Sequence, residues 1–162
     1  GLLYDNLALN WHFSGVELHN CAAYSRAAEL TFHKRRKYQG NSSIGAAPEA
    51  DIKALGDEQV TMKVKAVALD DVIRERIDLI KIDVEGAEPF VLEGMQRLLR
   101  EQPEMRILIE WSPGQIAQTG RAPQDLLNAL APFSMHLIGA TLSPVTAAEL
   151  ANIQHGMLLL AR

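Results

Sequence analysis

Asp83, Glu85 and Lys81 are the residues of this chain whose types and spacing could do chemistry. They fall in Ile77-Asp-Leu-Ile-Lys-Ile-Asp-Val-Glu-Gly-Ala-Glu-Pro89, an apolar run that carries one lysine and stops at two carboxylates and a glycine. Such a run reads as a buried strand delivering acids to a pocket. Carboxylates placed there could serve as proton acceptors. Gly86 allows a tight turn or a close ligand approach. A plainer reading stands beside this one: Glu85 and Glu88 favour the positive end of the following helix, and Asp83 caps a turn. Lys81 either snorkels at the strand end or pairs with an acid such as Asp83. Pairing is expected, because a buried unpaired ammonium is costly.

The elements that must position these residues alternate between strand and helix. Leu2 to Trp11 has the spacing of a helix end. Val16 to Ala23 reads as a strand running into a close-packed turn, and Glu29 to His33 as a short second strand. Lys34 to Glu58 is polar and rich in Gly, Ser, Ala and Asp, so it reads as a long loop. Val60 to Val67 alternates strictly, with Val60, Met62, Val64 and Ala66 on one face and lysines on the other. That is the pattern of a half-exposed strand at a sheet edge. Leu69 to Arg76 reads as a short helix. Ile77 to Val84 alternates too little to be half-exposed and suits a parallel strand covered on both faces.

Glu88 to Glu101 is the strongest helix, with Pro89 in its first turn and Val91, Met95, Leu98 and Leu99 as its buried stripe. Met105 to Trp111 is a second buried strand, with the acid Glu110 near its end. Pro123 to Leu130 reads as a helix, Met135 to Gly139 as a strand, Ala147 to Asn152 as a helical turn and Gly156 to Ala161 as a last strand. The order predicts an α/β sandwich with a mainly parallel sheet. Ligands of such sheets bind at the carboxyl ends of strands. Three ends therefore matter: Asn20 to Ala23, Asp83 to Gly86, and Glu110 to Ser112.

Length and composition exclude several classes. At 162 residues the chain suits one domain, and a formal charge of −4 argues against a nucleic-acid partner. The basic cluster His33-Lys34-Arg35-Arg36-Lys37 reads as a solvated loop or edge strand. No apolar run reaches the roughly 18 to 20 residues that span a bilayer. No secretory signal is read and Cys21 is the single cysteine, so the expected location is cytoplasmic. Cys21 itself reads as a small buried hydrophobe. The chain opens on Gly1 and passes directly into helix-like sequence, which suggests a fragment boundary.

Other motifs fail on detail. Gly40 to Gly45 has P-loop glycine spacing, but Ala46 and Ala47 stand where lysine and Ser/Thr are required. No two of the 11 glycines are separated by a single residue, so a dinucleotide fingerprint is absent. His12, His19, His33, His136 and His155 lack metal-ligand spacing, so no preformed zinc site is expected. Two carboxylates with no third ligand in sequence make a poor divalent-cation site, so no metal is assigned. Ser112-Pro113-Gly114 is no nucleophile elbow. Trp11 and Trp111 read as core or pocket-wall residues.

Asp78-Leu-Ile-Lys-Ile-Asp-Val-Glu-Gly-Ala-Glu88 resembles the FkbM family of S-adenosylmethionine-dependent methyltransferases. Further blocks fall in the family's order: Asn6 to Asn10, Val16 to Ser25, Asn41-Ser-Ser43, Ala68 to Asp71, Val91 to Met95 and Ile109-Glu110. The resemblance covers roughly residues 3 to 111. It implies a Rossmann-like class I methyltransferase fold of strand order 3-2-1-4-5-7-6 with an antiparallel last strand. Val16 to Cys21 would be strand 3, Ile77 to Val84 strand 4 and Met105 to Trp111 strand 5. The family's glycine-rich loop and ribose-binding acid have no counterpart here. The expectation is one partial domain over residues 1–162, with strands 1 and 2 missing and an exposed edge on strand 4 that invites self-association.

The resemblance also assigns roles. Cys21, Ala22 and Ala23 would lie near the adenine of S-adenosylmethionine, and Asp83, Val84 and Glu85 near its methionine part and the acceptor. Asp83 is the first candidate for base or acceptor-orienting group, Glu85 and Glu110 the next, and Lys81 would hold Asp83. The implied reaction is methyl transfer to a hydroxyl of a sugar, lipid or natural product, with acceptor choice in Lys34 to Glu58 and Ser112 to Ala122. The rival is a non-catalytic, truncated Rossmann-like binding module.

Overall fold

The computed structural model describes residues 2–10 and 15–162. The expected end of the first helix at Trp11, and Trp11 and His12 themselves, lie outside the described residues. Among the described residues the first helices in chain order are α1 (Leu2–Leu9), α2 (Glu49–Ala54) and α3 (Leu69–Val72), and eight strands form two sheets. The first contains β1 (Ala22–Ala23), β2 (Ala28–Arg35) and β3 (Gln59–Val67) in the order β1-β3-β2. The second contains β4 (Leu79–Ile82), β5 (Arg106–Trp111), β6 (Ser134–Ile138), β7 (Leu142–Pro144) and β8 (Gly156–Ala161) in the order β4-β5-β8-β6-β7.

Among the described residues parallel pairing is confined to β4 with β5 and β1 with β3. Strand β8 is antiparallel to both β5 and β6, as expected for the last strand, and the hairpins β2–β3 and β6–β7 are antiparallel too. The sheets are therefore mixed, not mainly parallel.

The core is built on the second sheet. Ile107, Ile109 and Trp111 of β5 and Leu158 and Leu160 of β8 are buried beneath Val91, Leu92, Met95 and Leu98 and beneath Leu126 and Leu130 of α7 (Pro123–Leu130). Burial of such side chains contributes roughly 1.5–3 kcal/mol each. The expected stripe of Val91, Met95, Leu98 and Leu99 is buried throughout.

The helix expected over residues 88–101 is divided into α4 (Glu88–Glu93) and α5 (Gln96–Glu101). Two long-range contacts explain the break. A side chain on Gly94 would begin 2.0 Å from the Tyr24 carbonyl oxygen, so the turn after β1 rests directly on this backbone. The Asp70 carboxylate then accepts the N–H groups of Arg97 at 2.6 Å and Leu98 at 2.9 Å, starting α5 as an N-cap supplied from elsewhere in the chain.

Four other expectations need correction. Only Ala22–Ala23 of the strand expected over residues 16–23 joins a ladder, and Val16 and Leu18 are exposed. Val60 and Met62 face solvent, because among the described residues nothing packs over that end of the β3 face. Among the described residues strand β4 pairs only with β5, leaving its other edge without a strand, and Leu79 is exposed rather than covered. The basic cluster begins in β2, an edge strand of the first sheet in keeping with the edge-strand reading, but Arg35 is buried rather than solvated and its Nε donates to Asp57 at 2.8 Å.

Candidate active site

The parallel register pairs Ile82 of β4 with Ile109 of β5. Asp83 and Glu110 are each the next residue, so the fold delivers both carboxylates to the same end of the sheet. Beyond Ile82 the chain turns sharply. Glu85 adopts φ 56° and Gly86 φ 97°, both in the left-handed region. A non-glycine residue there is uncommon and needs support from its surroundings.

That support comes from three directions. Glu88 is fully buried at the start of α4, and its Oε1 accepts the N–H of Val84 at 3.1 Å and of Gly86 at 3.4 Å. Ser43 Oγ donates to the Glu85 carbonyl at 2.6 Å. Gln115, in α6 (Pro113–Gln118), donates its side-chain N–H to Glu85 Oε2. A Cβ on Gly86 would lie 2.4 Å from the Gln115 backbone, so only glycine fits where α6 crosses the turn. Glu88 is thus the internal brace of the turn, a larger part than the dipole reading gave it.

Asp83 does not cap the turn. Lys81, two residues back along β4, donates from Nζ to Asp83 Oδ2, and both side chains reach solvent. Glu110 is buried, with His155 Nε2 2.8 Å from its Oε1. Carboxylate oxygens of Asp83, Glu85 and Glu110 lie within 4.8 Å of one another. Burial, followed by the nearby charge of Glu110, raises the Glu85 carboxyl above its ordinary value; the Gln115 donor opposes this. Burial pushes Glu88 up to about 7, despite the N–H groups it accepts. A raised carboxyl such as Glu85, set among other acids beside a cleft, is the kind of group that proton-accepting sites use.

A cleft of about 510 Å³ opens beside these acids. Cys21, Ala22, Ala23 and Phe32 form one wall, and Lys81, Asp83, Val84 and Glu85 the other. Two of the three strand ends singled out in the sequence, Asn20 to Ala23 and Asp83 to Gly86, therefore contribute residues to one opening. Cys21 is half-buried on that wall rather than packed in the core. Trp111 is a core residue, and its indole N–H donates to the Ile153 carbonyl at 2.7 Å.

The Methyltransferase FkbM domain family matches residues 2–135. The chain belongs to the FkbM methyltransferase family. Among its relatives is Methyltransferase sdnD of Sordaria araneosa, 31% identical over 140 residues, an alignment covering 71% of this chain and 54% of that protein. This FkbM-family chain thus spans about half the length of the curated relative it matches. The crystal structure of Methyltransferase FkbM from Methylobacillus flagellatus KT resembles it with a TM-score of 0.53 at 14% identity, over 98% of this chain and 33% of that one. At that identity the likeness speaks for the fold alone.

Ser43, Gln115, Glu88 and His155 were not singled out as site residues. Ser43 had a signal in the Asn41-Ser-Ser43 block of the FkbM resemblance. Gln115 and His155 had none, since each meets its partner only through the packing of distant elements.

Proposed function

We propose that this chain carries the acceptor side of an S-adenosylmethionine-dependent O-methyltransferase site. One observation carries the reading: Asp83, Glu85 and Glu110 converge at the carboxyl ends of β4 and β5 beside the cleft walled by Cys21 to Ala23. Membership of the FkbM methyltransferase family supports it. So does the order β4-β5-β8-β6 with β8 antiparallel, which equals the 4-5-7-6 half of the expected Rossmann-like sheet. On this reading residues 1–162 are one partial methyltransferase domain, and the free edge of β4 is where further pairing or self-association would occur.

The cleft's chemistry suits the cofactor. Ala22 and Ala23 leave room for a flat base against Phe32, while Asp83 and Glu85 offer carboxylates to a cationic amino-acid end. When bound, S-adenosylmethionine supplies a methyl group activated by its sulfonium. The protein's part is position and electrostatics. Asp83 accepts the hydrogen bond of an acceptor hydroxyl and is the group nearest to hand for its proton. Lys81 holds Asp83 in one orientation. Glu85 and Glu110 keep the surroundings acidic, so a hydroxyl donor of a sugar, lipid or natural product is favoured over an anionic acceptor. Among the described residues no helix is long and apolar enough to cross a membrane. The enzyme is read as cytoplasmic, where a free thiol such as Cys21 stays reduced.

The test is transfer of labelled methyl from S-adenosylmethionine to a panel of hydroxylated acceptors by the full-length protein. Asp83→Asn should lower turnover by about 10²- to 10⁴-fold, the usual worth of a general base. Unchanged turnover with unchanged cofactor affinity would remove Asp83 from the mechanism.

A further inference from the structure

The three acids do more than crowd one another. We infer that Asp83, Glu85 and Glu110 form a binding site for one hard divalent cation of the magnesium, manganese or calcium class. Their oxygens fall within 4.8 Å of one another. Ligand oxygens on opposite sides of a single ion are separated by about 4.0–4.2 Å for magnesium and about 4.6–5.2 Å for calcium. One ion therefore spans the cluster with little movement.

Charge balance points the same way. Among the described residues Lys81 is the one fixed cation bonded to the three carboxylates, and there it engages Asp83. His155 touches Glu110 and is charged only when protonated.

The second observation is independent of the clustering. Glu110 is only 6% exposed, and while His155 takes its Oε1, its Oε2 is sealed from solvent without any hydrogen-bond donor. A buried carboxylate oxygen left unpaired is costly, and native structures rarely retain one without an ion or water. Glu110 aims this carboxylate into the cluster. Gln115 adds to the case, because its Nε2 donates to Glu85 while its own Oε1 is buried and unpartnered. The site thus has three anionic oxygens and a neutral one close by. Among the described residues no thiolate or free imidazole joins the cluster, and its oxygen donors suit hard cations rather than zinc or copper.

The site does not depend on methyl transfer, and its test reads the ion directly. Manganese(II) is titrated into the chain and followed by electron paramagnetic resonance, with magnesium or calcium as competitor. One manganese per chain should bind saturably and be displaced by either competitor. Asp83→Asn and Glu110→Gln should each weaken binding about tenfold or more. Glu104→Gln, exposed and outside the cluster, should leave it unchanged. If Glu110→Gln fails to fold, the exposed Asp83 decides the matter alone. Absence of saturable uptake, or equal uptake by Asp83→Asn, would overturn the site whatever the outcome of the methyl-transfer assay.

Discussion

The buried Glu88 carboxylate accepts the backbone N–H of Val84 at 3.1 Å, four residues back along the chain. Through this bond the first turn of α4 fixes the end of β4. The acids of the site stand where they do because a further acid, which takes no direct part, holds their backbone from inside the core.

That brace has a pH signature. Burial pushes Glu88 from its ordinary 4.5 up to about 7, so the folded chain holds a proton in that window which the unfolded chain releases. The stability is fully present below pH 4.5 and falls as pH rises towards 7, by up to about 3 kcal/mol. Glu85, also raised, acts in the same sense. Glu88→Gln should flatten most of the decline between pH 5 and pH 8 in urea unfolding. An unaltered slope would mean that Glu88 is charged in the core.

Gly86 is predicted to be intolerant of any side chain. Its φ of 97° is strained for other residues, and a Cβ would meet Gln115 backbone atoms at 2.4 Å. Gly86→Ala should cost roughly 2–4 kcal/mol, since neither backbone can yield cheaply. Denaturant titration measures this; a loss below about 0.5 kcal/mol, the level of an ordinary surface change, would show that α6 moves aside freely.

Asp70 should matter to α5 far more than a partly exposed acid normally does. Its two oxygens accept Arg97 and Leu98 N–H groups that would otherwise lack partners. Asp70→Ala should cost about 1–3 kcal/mol, with faster amide exchange at Arg97 and Leu98. Protection unchanged at those two amides would rule out the capping role.

These residues also show how far the sequence could be read. Strand β8 and helix α7 were legible to the residue, because Gly156 and Pro123 mark their starts and each has a regular apolar pattern. Asp83, Glu85 and Glu110 were legible as strand-end acids, since strand ends follow from local pattern. Their mutual approach was not, because it depends on the register of β4 against β5 and on the left-handed backbone at Glu85. The break between α4 and α5 was hidden for a similar reason. Periodicity continues through Gly94 and Met95, and the cap that ends it is Asp70, more than twenty residues upstream. Strand β3 shows the reverse error. Its alternation is genuine, but alternation indicates two different faces, not that the apolar one is covered, and Met62 is open to solvent.

The central claim is that Cys21 to Ala23 and Asp83 to Glu85 wall a single cofactor cleft. Calorimetric titration with S-adenosylhomocysteine tests it most directly, comparing the chain with Ala22→Trp, which would fill the cleft from β1. The account predicts saturable binding by the unaltered chain and none by the filled variant. No binding by either, or equal binding by both, would contradict it.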